Sequence, residues 1–149
     1  MKSIVRKTIV ALVCLFVANA GVMASTDKPI KVSQLPLAAQ QLIKKDFSGK
    51  KVALSKMETG LFEKKYDVIF TNGDKVEFDK NGNWTEIECK NTAVPGRLVP
   101  SAIRQYVKNN YSSHKIIGIE KDRSEYDVKL TKGVEITFDK NFQVLDIDM

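Results

Sequence analysis

Two cysteines and one histidine are all that 149 residues offer for thiol or imidazole chemistry. A zinc centre needs four N or S ligands, so one Cys and one His in the body of the chain cannot build one. There is no Gly-rich phosphate loop and no Gly-x-Ser-x-Gly elbow. Apolar runs are short as well. The longest, Ile9–Val17, falls below the ~20 residues that span a bilayer, and polar Asn19 follows it. These absences argue against metal catalysis, nucleophile-elbow hydrolysis and a membrane-spanning helix.

The start of the chain has its own logic. Basic Lys2, Arg6 and Lys7 precede the apolar run, and the small residues Ala18-Asn19-Ala20 and Val22-Met23-Ala24 follow it. That order is a secretory signal peptide over 1–24, cleaved after Ala20 or Ala24, with Ala24 favoured. Cys14 lies within the apolar run behind Val13, unlike a lipoprotein cysteine. Three of the 24 Lys and Arg and none of the 18 Asp and Glu lie in this leader, leaving +3 on residues 25–149. Lys44-Lys45, Lys50-Lys51 and Lys64-Lys65 are interleaved with Asp46, Glu58, Glu63 and Asp67, which is the pattern of solvated faces. Neither nucleic acid nor an anionic membrane is an expected partner. Cys89 alone remains after cleavage, so no intrachain disulfide forms. An exported chain with one thiol fits a bacterial periplasm, with secretion or surface association as alternatives.

What is present is a repeat. At an offset of 64, Leu35-Pro36 falls on Val99-Pro100 and Phe47-Ser48 on Tyr111-Ser112. At an offset of 60, Tyr66-Asp67-Val68 falls on Tyr126-Asp127-Val128, and Phe78-Asp79-Lys80-Asn81 on Phe138-Asp139-Lys140-Asn141. Each copy opens with a helix: Leu35, Ala39, Ile43 and Phe47 make one apolar stripe, Val99, Ile103, Val107 and Tyr111 the other. The period then changes to two. Tyr66, Val68 and Phe70 alternate with Asp67, Ile69 and Thr71, and Asn72-Gly73 is a hairpin signal. The expectation is α+β: a tandem repeat of one helix plus a four-stranded antiparallel sheet, helices on one sheet face. Its parts are a flexible lead-in at 25–34, a first repeat at 35–90, a linker at 91–98 and a second repeat at 99–149.

A helix layer on one side leaves the other side open. Alternation sends Asp67, Ile69, Thr71, Lys75 and Glu77 to that open face, with Trp84, Glu86 and Glu88. Ile69, Lys75, Glu77 and Glu86 are candidate contacts, and Trp84 reads either as an aromatic anchor or as a cap on the hairpin or a cover on a neighbouring strand. Cys89 shares its side with Ile87 and reads as a buried structural thiol. His114, at a helix-to-strand junction, reads as a solvated residue. Asp79-Lys80-Asn81-Gly82-Asn83 has Gly too early for an EF-hand loop and reads as a turn.

The Leu-Pro helix start, the aromatic-Ser helix end, the Tyr-Asp-Val strand and the acidic-ended hairpin resemble the PepSY-like proteins of bacterial envelopes, grouped as β-lactamase-inhibitor-like. The resemblance runs through 35–52, 66–87, 99–116 and 126–147. It implies a tandem helix-plus-sheet architecture, export to the periplasm or beyond, and no known catalytic residues; no cofactor is expected from the residues present. In the true inhibitors the concave sheet grips the enzyme. Their contact residues have no match here, and their disulfides have no counterpart. The chain is therefore expected to be no enzyme but an exported binding module. Its partner would be an envelope or secreted protein or peptide on the open face, including an inhibitory role. The alternative is a sensor holding a small ligand or peptide in a groove between the repeats, with an apolar cleft at the linker.

Overall fold

Two residue rows running across the strands explain the architecture. The computed structural model describes residues 26–149; the expected leader, with Cys14 and both cleavage positions, lies outside the described residues. Nine strands form one antiparallel sheet in simple sequence order: β1 (Thr26–Pro29), β2 (Val52–Thr59), β3 (Lys64–Phe70), β4 (Lys75–Phe78), β5 (Trp84–Glu88), β6 (Ile116–Lys121), β7 (Glu125–Leu130), β8 (Glu135–Asp139) and β9 (Val144–Asp148). Helices α1 (Leu37–Asp46) and α2 (Ser101–Asn110) precede β2 and β6. Val68, Val76, Ile87, Ile119, Val128 and Ile136 are successive cross-strand partners. All six are at most 2% exposed. A side chain moved fully out of water in this way contributes roughly 1.5–3 kcal/mol.

Both helices cover this row. Ala39 and Ile43 of α1 and Ile103 and Val107 of α2 are buried in the same core. Phe47, just beyond α1, stacks on Phe70 with ring centroids 5.0 Å apart, while Tyr106 of α2 meets Phe138 edge-on at 5.4 Å. The sheet runs unbroken from the first half of the chain into the second. β5 and β6 pair through Glu86–Glu120, Ile87–Ile119 and Glu88–Gly118. Beyond them, Cys89 N–H donates to Ile117 O and Val94 N–H to Ile116 O, both at 2.8 Å. The 91–98 connection thus runs along the joint, with Val94 and Leu98 in the core.

Two expectations need correction. The segment 25–34 is not a loose lead-in over its length: β1 pairs with β2 from Thr26–Thr59 to Pro29–Lys56, and Ser55 Oγ donates to Ile30 O. Its polar sequence hides this because an edge strand needs only backbone partners. Trp84 does not point to the open face; it is 9% exposed and lies in the core, opposite Phe78. The reason is a bulge. Glu77 pairs with Glu86 and the next residue, Phe78, with Trp84, so Thr85 is an extra residue. One inserted residue reverses the in-out order, and Trp84 joins Ile87 under the helices. The second half repeats the device: Thr137 pairs with Asp146 and Phe138 with Val144, with Leu145 between.

Trp84→Ala should therefore cost about 3–5 kcal/mol, read as a lower urea midpoint at unchanged m-value. A loss below ~1 kcal/mol would contradict this placement.

Candidate functional site

The face away from the helices carries a continuous row of charge. Lys56, Asp67, Glu77, Glu86, Glu120, Asp127, Thr137 and Asp146 are successive Cα partners from β2 to β9. From β3 to β7 every member is a carboxylic acid. At ~4.8 Å per strand this acidic strip is roughly 19 Å long. A second row two residues along holds Leu54, Ile69, Lys75, Glu88, Gly118, Lys129, Glu135 and Asp148. Four of the five expected site residues, Ile69, Lys75, Glu77 and Glu86, are brought together on this face. Trp84 is not. Asp67 and Glu88, which alternation also sends to the open face, lie there too. Glu120 and Asp127 were missed, because they join the site only once β5 is known to pair with β6 and in which register.

Lysines neutralise the β3–β4 end of the acidic strip and Glu88 of the second row, but not the middle of the strip. Lys75 Nζ lies 3.2 Å from Glu77 and 3.7 Å from Asp67; Lys56 Nζ lies 3.4 Å from Asp67, and Lys129 Nζ 3.1 Å from Glu88. Glu86 and Glu120 have no cation within ion-pair distance among the described residues. Burial, a hydrogen bond with Glu77 and the charges of Glu88, Glu120 and Glu77 push the Glu86 carboxyl up to about 7. Burial and then the charges of Asp127 and Glu77 raise Glu120. Burial pushes Glu77 the same way, but its hydrogen bond with Glu86 and the nearby Lys75 outweigh it and hold Glu77 below the usual range. Glu77 and Glu86 thus share one proton at the centre of the face. Asp67 is 5% exposed, and its Oδ1 is a buried oxygen with no hydrogen-bond partner.

The remaining candidates for chemistry sit elsewhere. Cys89 is 2% exposed, and burial raises its thiol. His114 is half-buried against Tyr111, its Nδ1 3.4 Å from Ser113 Oγ. The carboxylate of Asp79 is engaged by its own turn. It accepts from Asn81 N–H at 2.8 Å, Asn83 N–H at 3.0 Å and Asn83 Nδ2 at 3.2 Å. Among the described residues no three His, Cys, Asp or Glu side chains are grouped to hold a metal ion. None of their helices is long and apolar enough to cross a membrane.

Residues 64–146 match the family described as "Putative beta-lactamase-inhibitor-like, PepSY-like". Comparison with the curated proteins gave no match. Three solved structures are similar over most of the chain. One is a "putative calcium-regulated periplasmic protein" from Bacteroides thetaiotaomicron, 54% identical, with TM-score 0.81, covering 83% of this chain and 97% of that one. A second, a "putative periplasmic protein" of the DUF2874 family from Bacteroides vulgatus, is 57% identical, with TM-score 0.83 and coverage of 85% and 100%. The third, a "putative periplasmic protein of unknown function" from the same species, is 40% identical, with TM-score 0.78 and coverage of 83% and 100%.

The shared proton makes stability depend on pH. The folded protein holds the Glu86 proton up to about pH 7, whereas an ordinary glutamate releases it near 4.5. This contribution is complete below 4.5 and is lost as pH rises through 7. Allowing for solvent screening, it amounts to about 1–2 kcal/mol. Glu86→Gln should flatten this decline and melt above the parent at pH 8. A parent that gained stability over the variant between pH 5 and 8 would refute the assignment.

Proposed function

This chain belongs to the PepSY-like family, and we propose that it is a non-enzymatic periplasmic binding module, two copies of one helix-plus-four-strand unit, whose fused sheet takes a protein or peptide partner on its open face. The observation that carries this reading is the uncovered run Glu77–Glu86–Glu120–Asp127. Like charges directly opposite one another destabilise a sheet, so folding alone gives no reason to line up four acids across four adjacent strands. A partner presenting Lys and Arg does. It would neutralise Glu86 and Glu120, which have no lysine or arginine within ion-pair distance among the described residues, and it would displace the proton shared by Glu77 and Glu86.

The shape of the row favours an extended basic segment over a single ion, since the acids follow one another along the sheet instead of converging. Calcium, named for one structural neighbour, fits this reading as a competitor: carboxylate oxygens suit it, and it would screen the same row. The non-enzymatic part is supported by Cys89, which is 2% exposed and whose thiol is held protonated by burial.

The test is fluorescence anisotropy with a labelled alternating Lys-Thr octapeptide and its Glu-Thr counterpart. The basic peptide should bind, more weakly as salt or calcium rises, and the acidic one should not. Glu86→Lys with Glu120→Lys should reduce binding about tenfold or more while the protein stays folded. Equal binding by the double variant, or none by the parent, would overturn the proposal.

A further inference from the structure

The helix side of the sheet bears a surface of opposite charge. Where the first half of the chain meets the second, α1, the β4–β5 turn, the 3-10 turn Gly96–Leu98 and β6 enclose a groove of about 410 Å³, within the range of small-molecule sites. Leu42, Trp84 and Leu98 give it an apolar floor, and its charged residues are Lys45, Arg97 and Lys121, with no acid among its lining. Arg97 is already committed to Asp46, its Nε donating to Oδ1 at 2.9 Å. The two lysines are not committed. Lys121 Nζ sits 3.9 Å from the Trp84 ring centroid, and neither it nor Lys45 has a carboxylate within ion-pair distance among the described residues. Burial, and then Lys140, lower the Lys121 ammonium's proton affinity, and the charge of Asp79 does not offset them.

The groove belongs to the joint and not to the helix-sheet unit. At the equivalent places in the second half stand Tyr106 for Leu42, Asn109 for Lys45, Phe142 for Gly82 and Val144 for Trp84. Among the described residues no strand pairs with the outer edge of β9 to supply a counterpart of Lys121. Gly82 matters here. At φ +85° it lets the turn close onto α1, and a Cβ would stand 2.8 Å from Pro36 Cβ and 3.0 Å from Ala39 N.

We propose that this groove binds a small organic anion with an apolar body, its carboxylate held by Lys121 and Lys45 and its body lying on Trp84, Leu42 and Leu98. The site is separate from the open face and does not depend on the reading given to it. A cation already stacked on an aromatic ring, beside an apolar floor, recognises both parts of such a molecule.

Trp84 is the only tryptophan in the chain, so its fluorescence reports on the groove directly. Decanoate, titrated below its micelle threshold, should give a saturable change in emission, and decyltrimethylammonium, of equal chain length and opposite charge, should not. Lys121→Met keeps the stem over the ring and should weaken decanoate binding about fivefold or more; Lys129→Met, on the opposite face, should leave it unchanged. Should Lys121→Met fail to fold, Lys45→Met on the exposed rim carries the same test. No saturable change, equal binding of the two amphiphiles, or full affinity after removal of the groove lysine would each overturn the proposal. The Glu86→Lys, Glu120→Lys protein should bind decanoate like the parent, so either site can fail alone.

Discussion

Everything distinctive about this molecule depends on the short ladder between β5 and β6. Three residue pairs form it. Each half is near 60 residues, a size at which a core alone is marginal. The joint makes the apolar row under the helices continuous, makes the acidic row on the other face continuous, and brings Lys121 over Trp84. It is also braced. Asp74, fully buried, accepts from Lys90 N–H at 2.9 Å and Thr92 Oγ1 at 3.2 Å, and is paired with Lys50. Those contacts fix the chain where it leaves β5, so the connection to α2 departs in one direction.

Much of this was legible in the sequence, for identifiable reasons. The helices were read from their apolar stripes, the strands from alternation, and the turns from residues that accept positive φ, such as Gly73 and Gly82. The export expectation agrees with the periplasmic neighbours. Phase was not legible. Alternation predicts sides only while every residue counts once, and the bulge at Thr85 breaks that count. The comparison of copies gave no warning, since Val144 and Leu145 are both apolar and suit either side. Nor could periodicity reveal which strands become neighbours across the joint, and that relation makes Glu86 and Glu120 opposite numbers.

The distribution of charge therefore says more than its sum. The chain is formally basic, yet its open sheet face is dominated by carboxylates and its basic groove lies on the other side. A reading from net charge would look for anionic partners everywhere. The fold separates the two signs by the thickness of one sheet, and each surface keeps its own selectivity.

An open sheet also has two ends, and here they differ. β9 alternates Leu145 and Ile147 with Asp146 and Asp148, so two copies meeting along this strand would bring like charges together. β1 is four residues long and ends on Pro29, which has no N–H to offer a further strand. Nine strands in open succession could in principle be extended by neighbouring molecules. Among the described residues both ends of the sheet thus discourage edge-to-edge pairing, which leaves the broad open face, and not the edges, as the surface for contact.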